Sequence, residues 1–130
     1  MRVEELEEFL RRLRERMPVE PVIVFGSHAR GGAGEWSDLD VIVVSDYFKD
    51  LTLLDRIALL LELKEGRVEP LGYTYEELAE MAERANPLAL SALIEGLFLA
   101  RSPRIEELAE RARSKYERRG RVWIPREQPA

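Results

Sequence analysis

Two aspartates two residues apart, Asp38 and Asp40, stand at the head of an apolar run over residues 39–45. In an extended strand both carboxylates project from one face, because side chains alternate with a period of two. Like charges this close repel unless a cation sits between them, so the pair asks for a divalent metal. Just upstream lies Gly26-Ser27-His28-Ala29-Arg30-Gly31, a glycine-serine turn followed by an arginine. Gly26 lets the backbone approach a phosphate that a Cβ would obstruct. The amides after it, with the Ser27 hydroxyl, can donate to phosphate oxygens. Together these are the parts needed to handle a nucleoside triphosphate.

Each part also has a plainer reading. A lone Gly-Ser pair is usually a simple turn. Arg30 either pairs with a triphosphate or pins the loop to an acidic neighbour such as Glu35. His28 reads better as a surface histidine than as a contact to base or phosphate, and Trp36 as packing under the loop rather than a base-stacking ring. Ser37 tightens the turn into the strand. Tyr73 and Tyr75 either pack and cap or accept a nucleotide.

Composition limits the chemistry. The 130 residues contain no cysteine and a single histidine, His28, which removes disulfides, cysteine nucleophiles, thiolate sites and multi-histidine zinc sites. A metal must therefore be held mainly by carboxylates, which favours Mg2+ or Mn2+. With 45% hydrophobic and 35% charged residues, the chain reads as one soluble globular domain. No apolar run is long enough for a bilayer, and the N-terminus shows no signal-peptide pattern, so a cytoplasmic location is expected. The net charge of −5 divides into −9 over residues 1–100 and +4 over residues 101–130. An acidic body makes direct nucleic-acid binding unlikely. The basic C-terminal segment fits a solvated helix face, with an acidic partner or RNA as the alternative.

The elements that must position these residues follow from periodicity. Val3, Leu6, Leu10, Leu13 and Met17 recur at helical spacing up to Pro18. Residues 21–25 form a short β-branched run closed by Gly26, a buried strand. Residues 39–45 are apolar on both faces beyond the aspartates: Ile42 and Val44 share the face of Asp38 and Asp40, and Leu39, Val41 and Val43 line the other. That marks a central strand covered on both sides. A strongly apolar helix is expected over 53–64, and a strand over 67–71, which Pro70 assigns to an edge or a strand end. Thr74-Tyr75-Glu76-Glu77 has capping-box form and opens a helix to about Ala85. Asn86-Pro87 starts another that ends near Gly96, and residues 97–99 are extended. Ser102-Pro103 caps a last helix ending near Gly120, and residues 122–124 form a final strand or docking hook. The expected organisation is a domain over 1–124 with a flexible tail at 125–130. The apolar stretch 88–99 is either core or a dimer face, so a homo-oligomer stays open.

The motif Gly26-Ser27 … Arg30, then Ser37-Asp38-Leu39-Asp40 at the start of an apolar strand, resembles the nucleotidyltransferase superfamily typified by DNA polymerase β. It is most similar to the small prokaryotic members, the minimal nucleotidyltransferases. The resemblance implies an α/β (α+β) fold with a small mixed sheet flanked by helices. It implies attack of an acceptor hydroxyl on the α-phosphorus of a nucleoside triphosphate, ATP as donor, with release of pyrophosphate. Asp38 and Asp40 would hold Mg2+ or Mn2+, and Gly26, Ser27 and Arg30 would hold the phosphates. The family's third carboxylate, on the neighbouring strand, falls on Glu69 in Val68-Glu69-Pro70-Leu71, as ligand or base. Family members often carry Asp there, so a longer Glu beside a proline departs from the pattern. The resemblance also implies a partner, a HEPN-family ribonuclease toxin to which AMP is transferred, the chain then being its antitoxin. The alternative is a non-catalytic module that neutralises its partner by occlusion. Transfer to a small molecule such as an aminoglycoside fits less well, since no second domain is there to enclose it.

Overall fold

The computed structural model describes residues 3–26, 39–64, 66–100 and 102–127. Helix α1 (Val3–Arg16) leads into strand β1 (Val22–Phe25), and strand β2 (Leu39–Val44) is followed by a short 3-10 helix (Asp46–Asp50). Then come α2 (Leu53–Leu63), β3 (Val68–Tyr73), α3 (Tyr75–Glu83), α4 (Pro87–Glu95), β4 (Leu97–Leu99) and α5 (Pro103–Lys115). A hairpin of β5 (Tyr116–Arg119) and β6 (Val122–Pro125) ends the described chain.

Four strands form one mixed sheet in the order β3-β2-β1-β4. β1 is antiparallel to β2 and to β4, whereas β2 and β3 are parallel, with α2 in the connection between them. The alternation of β2 is reproduced. Leu39, Val41 and Val43 pack with Leu6, Phe9 and Leu13 of α1 and Leu60 and Leu63 of α2. Ile42 and Val44 pack on the other face with Leu78, Leu90, Leu93, Ile105 and Leu108 of α3, α4 and α5. β2 is thus an inner strand covered on both sides, and β3, which carries Pro70, is an edge strand.

Several details differ from the expectations. In α1 the buried positions are Leu6, Phe9 and Leu13, with Met17 just beyond the helix, and Leu10 is half-buried. Phe9 completes the i, i+3, i+7 stripe that faces β1 and β2. Within the 88–99 stretch Ala89, Leu90, Ala92 and Leu93 are fully buried core, whereas Leu97 is exposed. Ser102 stands at the N-cap of α5 but makes no side-chain cap bond; its hydroxyl donates to Glu20 Oε1 at 3.1 Å. The last helix ends at Lys115, not near Gly120. Gly120, at φ +64°, belongs to the hairpin turn, a conformation that glycine adopts without a steric penalty.

The hairpin is held by side chains that alternate along a strand. Arg118 donates through Nε and Nη2 to the two carboxylate oxygens of Glu95, at 2.7 and 2.8 Å, and its guanidinium lies 4.6 Å from the centre of the Trp123 ring. Pro125 belongs to β6, and Arg126 donates from its backbone N–H to Lys115 O (2.8 Å) and from Nε to Arg113 O (2.6 Å). These bonds satisfy carbonyls that the end of α5 leaves open.

Candidate active site

The site is built from strand register. Phe25, the last residue of β1, is paired with Asp40 on β2, and Asp40 is paired with Glu69 on β3. Paired residues in adjacent strands project to the same side of a sheet, so the Asp40 and Glu69 carboxylates share one face. It is the face of Ile42 and Val44, and Asp40 and Glu69 stand at its end near the start of β2 and β3. Asp40 is half-buried and Glu69 exposed. Ile42 and Val44, further along β2, lie under α3, α4 and α5, so the two carboxylates stand at the end of this face away from that core.

Gly26 follows Phe25 directly and turns with φ +77°. A Cβ at this position would meet Asp40 Oδ2 at 3.0 Å. The missing side chain therefore lets the Asp40 carboxylate lie close against the turn, where any other residue would crowd it. Of the residues singled out in the sequence, the structure brings together Gly26, Asp40 and Glu69. Ser27, His28, Arg30, Trp36, Ser37 and Asp38 lie outside the described residues.

The donor set is oxygen only, as a hard divalent cation requires. Among the described residues no group of three or more carboxylate or imidazole side chains gathers as a metal site. Two carboxylates in register, Asp40 and Glu69, are the kind of hard oxygen donors that suit Mg2+ or Mn2+.

The two tyrosines near the third strand have structural partners. Tyr73 is half-buried and packs against the α3–α5 core; burial, assisted by the nearby Glu77 charge and opposed by Arg56, raises its phenol above the ordinary value. Tyr75 lies under the Arg104 guanidinium, 4.3 Å from ring centre to charge. Arg104 in turn donates to Glu20 Oε1 at 2.6 Å and to Asp46 Oδ2 at 3.1 Å. This network ties α5 to the end of β2 opposite Asp40. The hydrogen bonds that Arg104 donates to Glu20 hold its proton still more firmly than usual, outweighing the effect of burial.

The sequence also hides an anchor that its periodicity did not single out. Arg56 on α2 is only 4% exposed and donates to five acceptor atoms. These are Leu51 O (3.1 Å), Gly72 O (3.2 Å), Phe48 O (2.6 Å) and both carboxylate oxygens of Glu77 (2.7 and 3.1 Å). Glu77 at the same time accepts from the Thr74 N–H at 2.8 Å and closes the expected capping box. Burial raises the Glu77 carboxyl, but the bonds from Arg56 and Thr74 outweigh it and hold the group below its usual range. The anchor fixes α2 and α3 to β3, the strand that carries Glu69.

A family model described as a nucleotidyltransferase domain matches residues 6–89, from α1 to the first turn of α4. The chain belongs to this nucleotidyltransferase family. Two relatives from Methanocaldococcus jannaschii, both named as candidate protein adenylyltransferases, are each 37% identical to it. The matches cover 46% of this chain in both cases, and 69% and 79% of the relatives. Among solved structures, a candidate nucleotidyltransferase from Sulfolobus solfataricus superposes with a TM-score of 0.56 at 21% identity, covering 74% of this chain and 77% of that one. A toxin–antitoxin structure with AMP-PNP superposes with a TM-score of 0.54 at 18% identity, covering 83% of each chain. At these identities the two structures establish the nucleotidyltransferase fold.

Proposed function

We propose that this nucleotidyltransferase transfers AMP from ATP to a hydroxyl of a partner protein, and that it acts as the antitoxin of a HEPN-family toxin. The observation that carries the reaction is the row Phe25–Asp40–Glu69 across three strands, with the Gly26 turn packed close against Asp40. The protein acceptor is supported by the names of the relatives, which are protein adenylyltransferases. The antitoxin role is supported by the fold shared with a toxin–antitoxin complex that holds an ATP analogue.

In this reading Asp38, Asp40 and Glu69 hold Mg2+ or Mn2+. A cation bound there neutralises phosphate charge and eases deprotonation of the attacking hydroxyl. The amides after Gly26 and the Ser27 hydroxyl donate to the phosphates, and the Arg30 guanidinium pairs with their charge. Gly26 lets the Asp40 carboxylate lie close against the turn. The acceptor hydroxyl forms a bond to the α-phosphorus as the bond to the bridging oxygen of pyrophosphate breaks, and its proton passes to Glu69 or to water. Because Glu69 is exposed and stands on an edge strand, the acceptor can approach from the β3 side. Positioning of that acceptor falls to the partner protein, since transfer depends on orientation.

The test is to mix the protein with the product of a neighbouring toxin gene, ATP and magnesium, and to weigh that product intact. An AMP-sized mass gain that disappears with Asp40→Asn is the expected result. A stable complex with no mass gain would replace the transferase by an occluding module.

A further inference from the structure

Helix α2 is apolar on more than the face it buries. Arg56, Leu60 and Leu63 point into the protein, yet Leu53 is 64% exposed, Leu54 78%, Ile57 40% and Leu61 51%. With Ala58, also exposed, these residues fall at i, i+1, i+4, i+5 and i+8, a continuous stripe along one side of the helix. Large side chains gathered in this way differ from the scattered exposed leucines of an ordinary surface.

What packs on the stripe is limited by its surroundings. The neighbouring sheet edge is β3. Leu39 N–H donates to Arg67 O and Ser45 N–H to Tyr73 O, so the backbone polar groups of the odd-numbered residues of β3 point to β2 and those of Val68, Pro70 and Gly72 point to the far edge. Pro70 has no N–H to offer, and Gly72 O already accepts from Arg56 at 3.2 Å. The edge is therefore blunted against an added strand, which leaves side-chain packing by a helix. On the helix surface the stripe is flanked by Asp55 and Glu62, both exposed and neither in a salt bridge among the described residues. They belong to the part of the chain that carries −9 over residues 1–100. A second copy packed antiparallel about a two-fold axis would set this acidic flank against itself.

We propose that the α2 stripe is a docking surface for an amphipathic helix of a partner protein, whose apolar face is bordered by lysine or arginine. Leu53, Leu54, Ile57 and Leu61 supply the apolar contact, and Asp55 and Glu62 select the basic border. The surface lies in the α1–α2 layer, on the opposite side of the sheet from the face of Asp40. A partner held there leaves the carboxylates uncovered. This docking does not depend on the transfer reaction.

The experiment places a photo-crosslinking phenylalanine derivative at Leu54, and as a control at Glu7 on the exposed face of α1, in the full chain. Both proteins are irradiated in extract of the source cells, and the crosslinked peptides are sequenced by mass spectrometry. Adducts specific to position 54 should map to a segment with apolar residues at helical spacing bordered by Lys or Arg. The synthetic segment should then bind wild type at least about tenfold more tightly than Leu54→Glu, with affinity falling as salt rises. Adducts to this chain itself, to lipid, or to an acidic or non-helical segment would overturn the proposal, as would labelling no stronger than at position 7. Magnesium-ATP binding is measured alongside: Leu54→Glu keeps it, whereas Asp40→Ala loses it and keeps the docking. Failure of one reading is thereby separable from failure of the other.

Discussion

Gly26 turns its open side to Asp40, so that a Cβ on the one would stand 3.0 Å from Oδ2 of the other. The turn closing β1 and the carboxylate of β2 are thus coupled, since anything larger than glycine must displace the proposed ligand. The positive φ of Gly26 adds a second constraint, because an L-residue in that region is strained by about 1–2 kcal/mol.

Gly26→Ala is therefore expected to lower stability by about 1–2 kcal/mol in urea unfolding. Its effect on magnesium-ATP affinity should be larger than strain alone explains, about tenfold or more, because the Asp40 carboxylate has to move. Calorimetric titration of a folded Gly26→Ala protein checks this. Unchanged affinity would separate Gly26 from the nucleotide.

Asp40→Asn and Glu69→Gln test the pair of carboxylates. Each keeps its shape and removes a charge, and each is expected to lower AMP transfer by about 100-fold or more. A ligand at about 100 times its dissociation constant stabilises a fold by about 2.7 kcal/mol. Wild type should therefore melt at a higher temperature with saturating magnesium-ATP than with ATP and EDTA. In Asp40→Asn that difference should vanish. A Glu69→Gln protein with full transfer activity would assign the third carboxylate elsewhere.

The strand that carries Asp40 was legible because its alternation is simple: Ile42 and Val44 against Leu39, Val41 and Val43 leaves few ways to place it. The strand of Glu69 was legible as an edge through Pro70, but Glu69 itself was singled out only by the family resemblance. The hairpin was not, because Tyr116-Glu117-Arg118-Arg119 contains charges that suit a helix face equally well. What decides between the two is tertiary, namely Glu95 on α4 and the Trp123 ring. Nor did the sequence separate the two apolar helices: α4 is buried and α2 is half exposed. Of the polar residues of α2, Asp55 and Glu62 face outward while Arg56 faces inward, and only the partners of Arg56 reveal that.

Arg56 and Glu77 set a prediction for stability and pH. Arg56→Met keeps the bulk but leaves the Glu77 carboxylate and three backbone carbonyls without their donor, an expected loss of about 3 kcal/mol or more. The Glu77 carboxyl is lower in the folded protein than in the unfolded chain. Its contribution is thus fully present above the unfolded value of about 4.3 and is lost as the pH falls through the lower folded value. Urea midpoints of wild type and Glu77→Gln should differ at pH 7 and converge as the pH is taken below about 4. Parallel curves through that range would show that the Arg56 bonds do not govern the carboxyl.

The basic C-terminal segment yields the last prediction. Its charge of +4 over residues 101–130 leaves RNA binding open if the arginines are free. Arg104 pairs with Glu20 and Asp46, Arg113 with Glu110, Arg118 with Glu95, and Arg119 and Arg126 with Glu117, leaving Arg111, Lys115 and Arg121 without a carboxylate among the described residues. A guanidinium held by a carboxylate presents little net charge to a phosphate, and spaced pairs do not form the continuous basic footprint that nucleic acids need. A labelled RNA is therefore expected to show no saturable binding at about 50 mM salt, where electrostatic binding is favoured. Arg118→Ala should instead act on stability, by about 1 kcal/mol, through the lost Trp123 stacking and Glu95 bonds. Saturable RNA binding that Arg118→Ala weakens, with no change in unfolding, would return this segment to nucleic-acid recognition.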